Sequence, residues 1–213
     1  MHHHTTALGL ANIDAPDGPA APAGSAAPAG PAAPRPGAAT REPAGPGSAD
    51  DFRALMRHWP TGVCVVTTQD AGDPAGCTIS SLMSVSLSPP LLVIALAADS
   101  VTLGAICRAG AFGVNVLGAD QGDLGQRFAT GEHRDRFRGV TCWYQREIPL
   151  LPEVVACVVC TVWDIAPCAD HVLVIGEPVW HMARRHLAPL IRFRSGYRQL
   201  AELIDGDGLR ARP

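Results

Sequence analysis

The sequence predicts a mainly β protein: an antiparallel barrel, closed or half-closed, with Greek-key connections and short flanking helices. Three observations predict it. Apolar, β-branched runs follow one another directly, without the strand–helix alternation of a parallel sheet. Clusters of Gly, Pro, Asp and Ala punctuate them as turns. The segments with helix-start signals are short, and no internal repeat is present.

The elements follow in order. Residues 15–48 are nearly all Ala, Pro and Gly, a composition without an apolar face to offset chain entropy. Residues 1–48 are therefore expected to be a disordered arm, and 49–213 one domain. "SADDFRALMRHWP" reads as a short helix, with Ser48 or Asp50 as N-cap and Pro60 beyond its end. Gly62–Gln69 is a strand, "DAGDPAG" a turn, and "CTISSLMSVSLS" (Cys77–Ser88) a second strand completing a hairpin. After the Pro pair comes "LLVIALA", a more fully buried strand. Asp99 or Ser100 caps a helix that ends at Gly110. "AFGVNVLG" is a strand, and "ADQGDLGQRFAT" a helix with Leu124 and Phe128 on one face. Residues 130–148 are charged and irregular. Two long strands, "VVACVVCTVWDIA" and "HVLVIGEPVWHM", are joined by the tight "PCAD". The tail "PLIRFRSGYRQLAELI" supplies a short strand and a frayed helix.

Composition excludes several function classes. A net charge of −3 gives no support to nucleic-acid or anionic-membrane partners. The basic side chains are all Arg, so a Lys Schiff base and a P-loop lysine are both excluded. The start lacks the basic and apolar regions of a signal peptide, and no run reaches the ~20 residues of a membrane helix. A cytoplasmic protein is expected. Seven cysteines, an odd number, argue against a disulfide framework. Cys157 and Cys160 lie three apart in a strand, so they point to opposite faces and belong to the core rather than to one metal. Outside the three consecutive histidines at the start no H-x-H pattern exists, and there is no H-E-x-x-H, so no metal site is expected. No G-x-G-x-x-G precedes a helix, so a nicotinamide would bind outside a Rossmann fold.

The stretch "TISSLMSVSLSPP" carries the functional signal. Split by period two, Ile79, Met83, Val85 and Leu87 form an apolar face that is expected to pack the core. Thr78, Ser80, Ser84, Ser86 and Ser88 form the other, with a break in alternation at Ser81 and Leu82, as at a bulge. A solvent-facing strand is one reading. The other is a ligand face, because small neutral hydroxyls and open backbone suit a flat, uncharged polar ring. One short strand later, "DSVTLGAI" offers Ser100 and Thr102 at a helix start, where free N–H groups favour phosphate.

"FRALMRHWPTGVCVVTT", "GCTISSLMSVSLSPPLLVIAL", "DSVTLGAI", "FGVNVLGADQGDLGQRFA" and "ADHVLVIGEPV", in this order over Asp51–Tyr197, resemble the flavin reductase family. The resemblance implies an FMN-binding split barrel that passes hydride from NADH or NADPH to FMN or FAD. It also implies a homodimer and a partner monooxygenase that receives the reduced flavin. By the same resemblance, Thr61, Thr78, Ile79, Ser80 and Ser81 meet the ring's polar edge. Ser84, Val85 and Ser86 meet the ring and ribityl chain, and Ser100 and Thr102 the phosphate. Phe128 and Ala129 close the site, and Asp170 and His171 are the catalytic pair towards the nicotinamide. Two positions depart from the family pattern. Val101 stands where relatives often carry Arg or Lys, leaving Arg108 or Arg127 as substitutes. Ala169 stands where the common loop has Gly, and Ala is expected to narrow the approach or resist a positive φ. A flavin-binding barrel without reductase activity and a scaffolding barrel are the alternative readings.

Overall fold

The structure is a computed structural model, and it describes residues 47–200. The expected arm over 1–48 lies almost wholly outside the described residues, as does the end of the expected C-terminal helix. The chain opens with α1 (Ala49–Met56), β1 (Thr61–Gly62), β2 (Cys64–Asp70), β3 (Asp73–Ile79), β4 (Met83–Leu87) and β5 (Pro90–Ala97). It continues with α2 (Val101–Ala109), β6 (Ala111–Val116), α3 (Gly122–Thr130), a 3-10 turn at His133–Asp135, β7 (Trp143–Gln145) and β8 (Ile148–Leu150). It ends with β9 (Ala156–Cys168), β10 (His171–Ala183), β11 (Ile191–Phe193) and β12 (Gly196–Arg198).

Local chemistry explains the helix limits. Ser48, not Asp50, caps α1: its hydroxyl accepts from Asp51 N at 3.2 Å, and the Asp51 carboxylate accepts from Ser48 N at 3.0 Å. Ser100 caps α2 by accepting from Leu103 N at 3.4 Å, and Gly110 ends it at φ 65. The region 130–148 is less irregular than expected, because β7 pairs with β8 in a small hairpin.

Seven strands form one antiparallel sheet in the order β3-β2-β6-β9-β10-β5-β4. Its two edge strands, β3 and β4, are consecutive in the chain and joined only through Ser80, Ser81 and Leu82. The path from Ile79 to Met83 reaches about 14 Å when extended. Seven strands laid flat would separate the edges by about 29 Å. The sheet must therefore roll until its edges approach. Ser81 laces the seam: its hydroxyl donates to Ala95 O at 2.9 Å and accepts from Ala95 N at 3.1 Å. A three-stranded sheet, β1-β11-β12, sits on the chain entering β2.

The rolled sheet is apolar on both faces. Val63, Val65, Leu117, Phe128, Leu150, Cys157 and Val159 belong to one cluster, and Cys64, Val66, Ile94, Ile106, Phe112, Cys160 and Val174 to the other. Cys157 and Cys160 thus fall into separate clusters, as their spacing predicts. Leu124 and Phe128 both pack on the first cluster. Buried Asn115 satisfies its amide by donating to Val65 O and accepting from Leu151 N. Gly176 is required by close packing, since a Cβ there would lie 2.5 Å from the Phe112 ring.

The hydroxyl stretch differs from the expectation in two ways. It is not one strand but two, on opposite edges of the sheet, and the irregularity at Ser81 and Leu82 is the crossing between them. The bulge lies at Val85, between Ser84 and Ser86. Of its apolar face only Ile79 is buried; Met83, Val85 and Leu87 are 60%, 51% and 88% exposed. Among the described residues no second layer covers this edge strand, and the bulge at Val85 puts Met83 and Leu87 on opposite faces, so the period-two face does not run through β4. Among the described residues, no helix is long and apolar enough to cross a membrane.

Candidate functional site

The seam leaves Ser80 exposed, and three cavities meet at it. The second cavity, about 250 Å³, is lined by Thr78, Ile79, Ser80, Gln126, Ala129, Thr130, Arg192 and Tyr197, with Val63 at its base. The Thr78 hydroxyl donates to Gly125 O at 2.6 Å and so docks α3 against β3. That contact positions Gln126, Ala129 and Thr130. Thr61 lies one cavity over, beside Trp59, Gly62 and Leu82, and pairs through β1 with Arg192 of β11. Thr61, Thr78, Ile79, Ser80 and Ala129, five of the residues expected from the sequence, are thus brought together around Ser80.

The others stand differently. Both hydrogen-bonding capacities of the Ser81 hydroxyl are used on Ala95. Ser84, Val85 and Ser86 lie on β4, with the Ser86 hydroxyl accepting from Ser88 N at 3.2 Å. The Phe128 ring faces the core, 4.8 Å from Phe137 in a T-shaped pair, so it supports α3 from behind. Ser100 is half-buried at the start of α2, and Thr102 is buried, its side chain beside Cys77.

Asp170 and His171 form the tip of the β9–β10 hairpin, with His171 Nδ1 2.8 Å from Asp170 Oδ1. That hydrogen bond, with the attraction of the ring, holds the Asp170 carboxyl below its usual range. His171 pairs with Ala97 on β5, two residues beyond the Ala95 that holds Ser81, about 7 Å along the strand. Ala98 N donates to Asp170 O at 3.0 Å. The hairpin tip therefore stands beside both the seam and the lead into α2. Ala169 departs from the expectation: it takes φ 54, and the turn tolerates it.

The substitutes expected for a charge beside Val101 are engaged elsewhere. Arg108 makes a two-pronged contact with Asp70, at 2.9 and 2.6 Å, which lowers the Asp70 carboxyl and raises the guanidinium. Arg127 donates to the carbonyls of Asp135 and Arg138. Burial pushes the Cys64 and Cys160 thiols up to about 12, which keeps both protonated in the core.

Sequence reasoning missed Gln126, Thr130, Arg192 and Tyr197 as lining residues. The Arg–aromatic run "IRFRSGYR" was the available signal, but it lies more than 100 residues from Thr78 and only the β1–β11 pairing brings it near.

Comparison with known proteins agrees with this geometry. The profile of the "Flavin reductase like domain" matches residues 56–201. A "Flavin reductase (NADPH)" of Lentzea aerocolonigenes is 40% identical over 154 residues, 70% of this chain and 88% of that protein. The reductase component of a 4-nitrophenol 4-monooxygenase/4-nitrocatechol 2-monooxygenase of Rhodococcus opacus is 34% identical over 129 residues, 61% of this chain and 69% of its own. The Streptomyces globisporus C-1027 NADH:FAD oxidoreductase, solved in complex with NAD and FAD fragments, superposes with a TM-score of 0.72 at 29% identity, covering 78% of this chain and 100% of that one. With its rolled antiparallel sheet and a match over most of its length, the chain belongs to the flavin reductase like domain family.

Proposed function

We propose that the protein is an NAD(P)H-dependent flavin reductase that supplies reduced FMN or FAD to a partner monooxygenase. The observation that carries this reading is the seam: a cavity around Ser80 lined by uncharged polar and apolar side chains and one cation, Arg192, at an open sheet edge. Its residues fit a flavin. Ser80 offers an uncharged hydroxyl to a ring's polar edge, beside Thr78 and Thr130, whose hydroxyls donate to Gly125 O and Gln126 O and retain acceptor capacity, and the Gln126 amide. The N–H groups at the start of α2 fit a phosphate, with Ser100 at the cap and the Thr102 side chain buried behind it.

Flavin, when bound, supplies a hydride acceptor, and reduced nicotinamide is the donor. The chain's part is placement. Thr61 and Ser80 orient the ring edge, and seam N–H groups and hydroxyls stabilise negative charge that develops there. Ala129 and Tyr197 exclude water from one side of the cavity. The Asp170–His171 pair, held together at 2.8 Å, lies at the nicotinamide side and orients the donor. No covalent nucleophile is required. We read the protein as a homodimer, from the uncovered apolar side chains of β4, and as cytoplasmic, from seven free cysteines.

The test is consumption of NADH or NADPH with and without added flavin. Flavin-dependent oxidation is expected, and Ser80→Trp, which fills the junction of the three cavities, lowers kcat/KM at least tenfold. Flavin binding without oxidation of either nicotinamide would leave a binding barrel and overturn the reductase reading.

A further inference from the structure

The cavity around Ser80 takes Gln126, Ala129 and Thr130 from the C-terminal half of α3, and Thr78, Ile79 and Ser80 from the end of β3 and the residue beyond it. Whatever holds α3 against β3 therefore sets the spacing between these two groups. One tie is the Thr78 hydroxyl on Gly125 O, at mid-helix. A second lies at the helix end. Half-buried Arg136 donates through Nε to Gly131 O at 3.0 Å and through Nη1 to Gly76 O at 2.8 Å. Gly131 is the C-cap of α3, and Gly76 belongs to β3. One guanidinium thus bridges the helix end and the strand.

The surroundings are shaped to that bridge. β3 is an edge strand, and Gly76 lies opposite Thr67 of β2. A Gly76 carbonyl that accepts from Arg136 points away from β2, and in an antiparallel strand residues two apart share that direction. Arg136 therefore takes one outward carbonyl of the edge, and Thr78, the next residue of the same direction, lies in the cavity lining. Phe137 seats at the same place. A Cβ on Gly76 would come within 3.2 Å of its ring and 2.6 Å of Val66 O, so glycine is required there. The Phe137 ring packs on Phe128 of α3, and Arg127 of α3 donates to Asp135 O and Arg138 O, on either side of Arg136. The segment that carries Arg136 is thereby fixed to α3 before the guanidinium reaches β3.

We propose that Arg136 is a positioning residue for the flavin cavity: by bridging Gly131 O and Gly76 O it sets the spacing between the C-terminal half of α3 and β3, and so the fit of the ring between them. The proposal rests on the flavin reductase reading. Arg136 stands outside the cavity lining and acts through Gln126, Ala129 and Thr130. A planar guanidinium fixes two carbonyls at once, because its N–H groups leave in set directions; a glutamine amide or an ammonium does not hold both in that geometry.

The experiment titrates FMN and FAD into the full chain by flavin fluorescence, and reads KM and kcat for the same flavins, in the wild type, Arg136→Gln, Arg136→Lys and Arg184→Gln. Arg184 donates to Val154 O at 3.1 Å and lines none of the cavities at Ser80, so its variant loses an arginine–carbonyl bond of the same kind and controls for stability alone. Arg136→Gln is expected to raise Kd and KM for flavin about tenfold, with kcat at saturating flavin within about twofold. Arg136→Lys keeps a donor for one carbonyl and is expected to raise both about threefold; should the glutamine variant not fold, it carries the same comparison. Arg184→Gln lowers the melting temperature and leaves Kd within about twofold. An unchanged Kd in Arg136→Gln overturns the proposal. So does a rise of equal size in Arg184→Gln, since affinity would then follow stability, and so does a fall in kcat at unchanged KM. A wild type that binds no flavin would sink the flavin reductase reading and this role with it, whereas flavin binding indifferent to Arg136 would sink this role alone.

Discussion

At Ala169 the chain departs from the glycine that its turn favours. Cys168 pairs with His171, so Ala169 and Asp170 form a two-residue loop, with a positive φ at its first position. Hairpins of this kind place glycine there, because a Cβ in the left-handed region costs about 1–2 kcal/mol. Glycine returns about 0.5–1 kcal/mol of that as unfolded-state entropy. Ala169→Gly is therefore expected to stabilise the protein by roughly 0.5–1 kcal/mol, read from the urea midpoint at unchanged slope. No gain, or a loss, would mean that the turn is not held in the left-handed region. The Asp170–His171 contact at the tip depends on this turn, so the same variant tests how firmly the pair is set.

Among the elements, the β3–β4 crossing matters most. Ser81 satisfies both backbone groups of Ala95, where a ladder partner would otherwise do so. Ser81→Ala removes two hydrogen bonds at a partly exposed site, a cost of about 1–2 kcal/mol. Hydrogen exchange is the sharper probe, since the Ala95 amide loses its partner. Its protection is expected to fall while that of Ile94, inside the β5–β10 ladder, holds. Equal loss at both positions would argue that the seam is not a separate unit. The stretch was legible in the sequence as a half-polar strand with a fault at Ser81 and Leu82. That the fault is a passage from one sheet edge to the other was not, because local alternation carries no record of which strand lies alongside.

For the whole molecule, β4 raises the main question. Met83, Val85 and Leu87 leave apolar side chains uncovered at a sheet edge, a liability that soluble proteins cover. A second copy of the chain is the occupant read here. Light scattering is expected to return twice the chain mass for the wild type. Leu87→Asp, at the most exposed of the three positions, is expected to shift it towards the monomer with little change in the melting of the isolated chain. A monomeric wild type would refute the dimer.

Much was settled by the sequence alone. Turn residues and β-branched runs placed the longer strands, because backbone preference and side-chain period are local properties, but not β1, β7 and β8 or the division of β3 from β4. The faces of Cys157 and Cys160, the two helix starts with two cap candidates each, and the row of neutral hydroxyls follow from the same period and chemistry. The absence of lysine and the order of motifs narrowed the chemistry to a non-covalent site for a flat ring. Only the tertiary structure decided which faces are covered, where the sheet meets itself, and which distant residues share a cavity. Rolling the sheet brings Ser80 to an open seam, and pairing β1 with β11 carries Arg192 to Thr61 across more than 100 residues. Those contacts depend on closure of the whole sheet, a global constraint to which no single stretch of sequence responds.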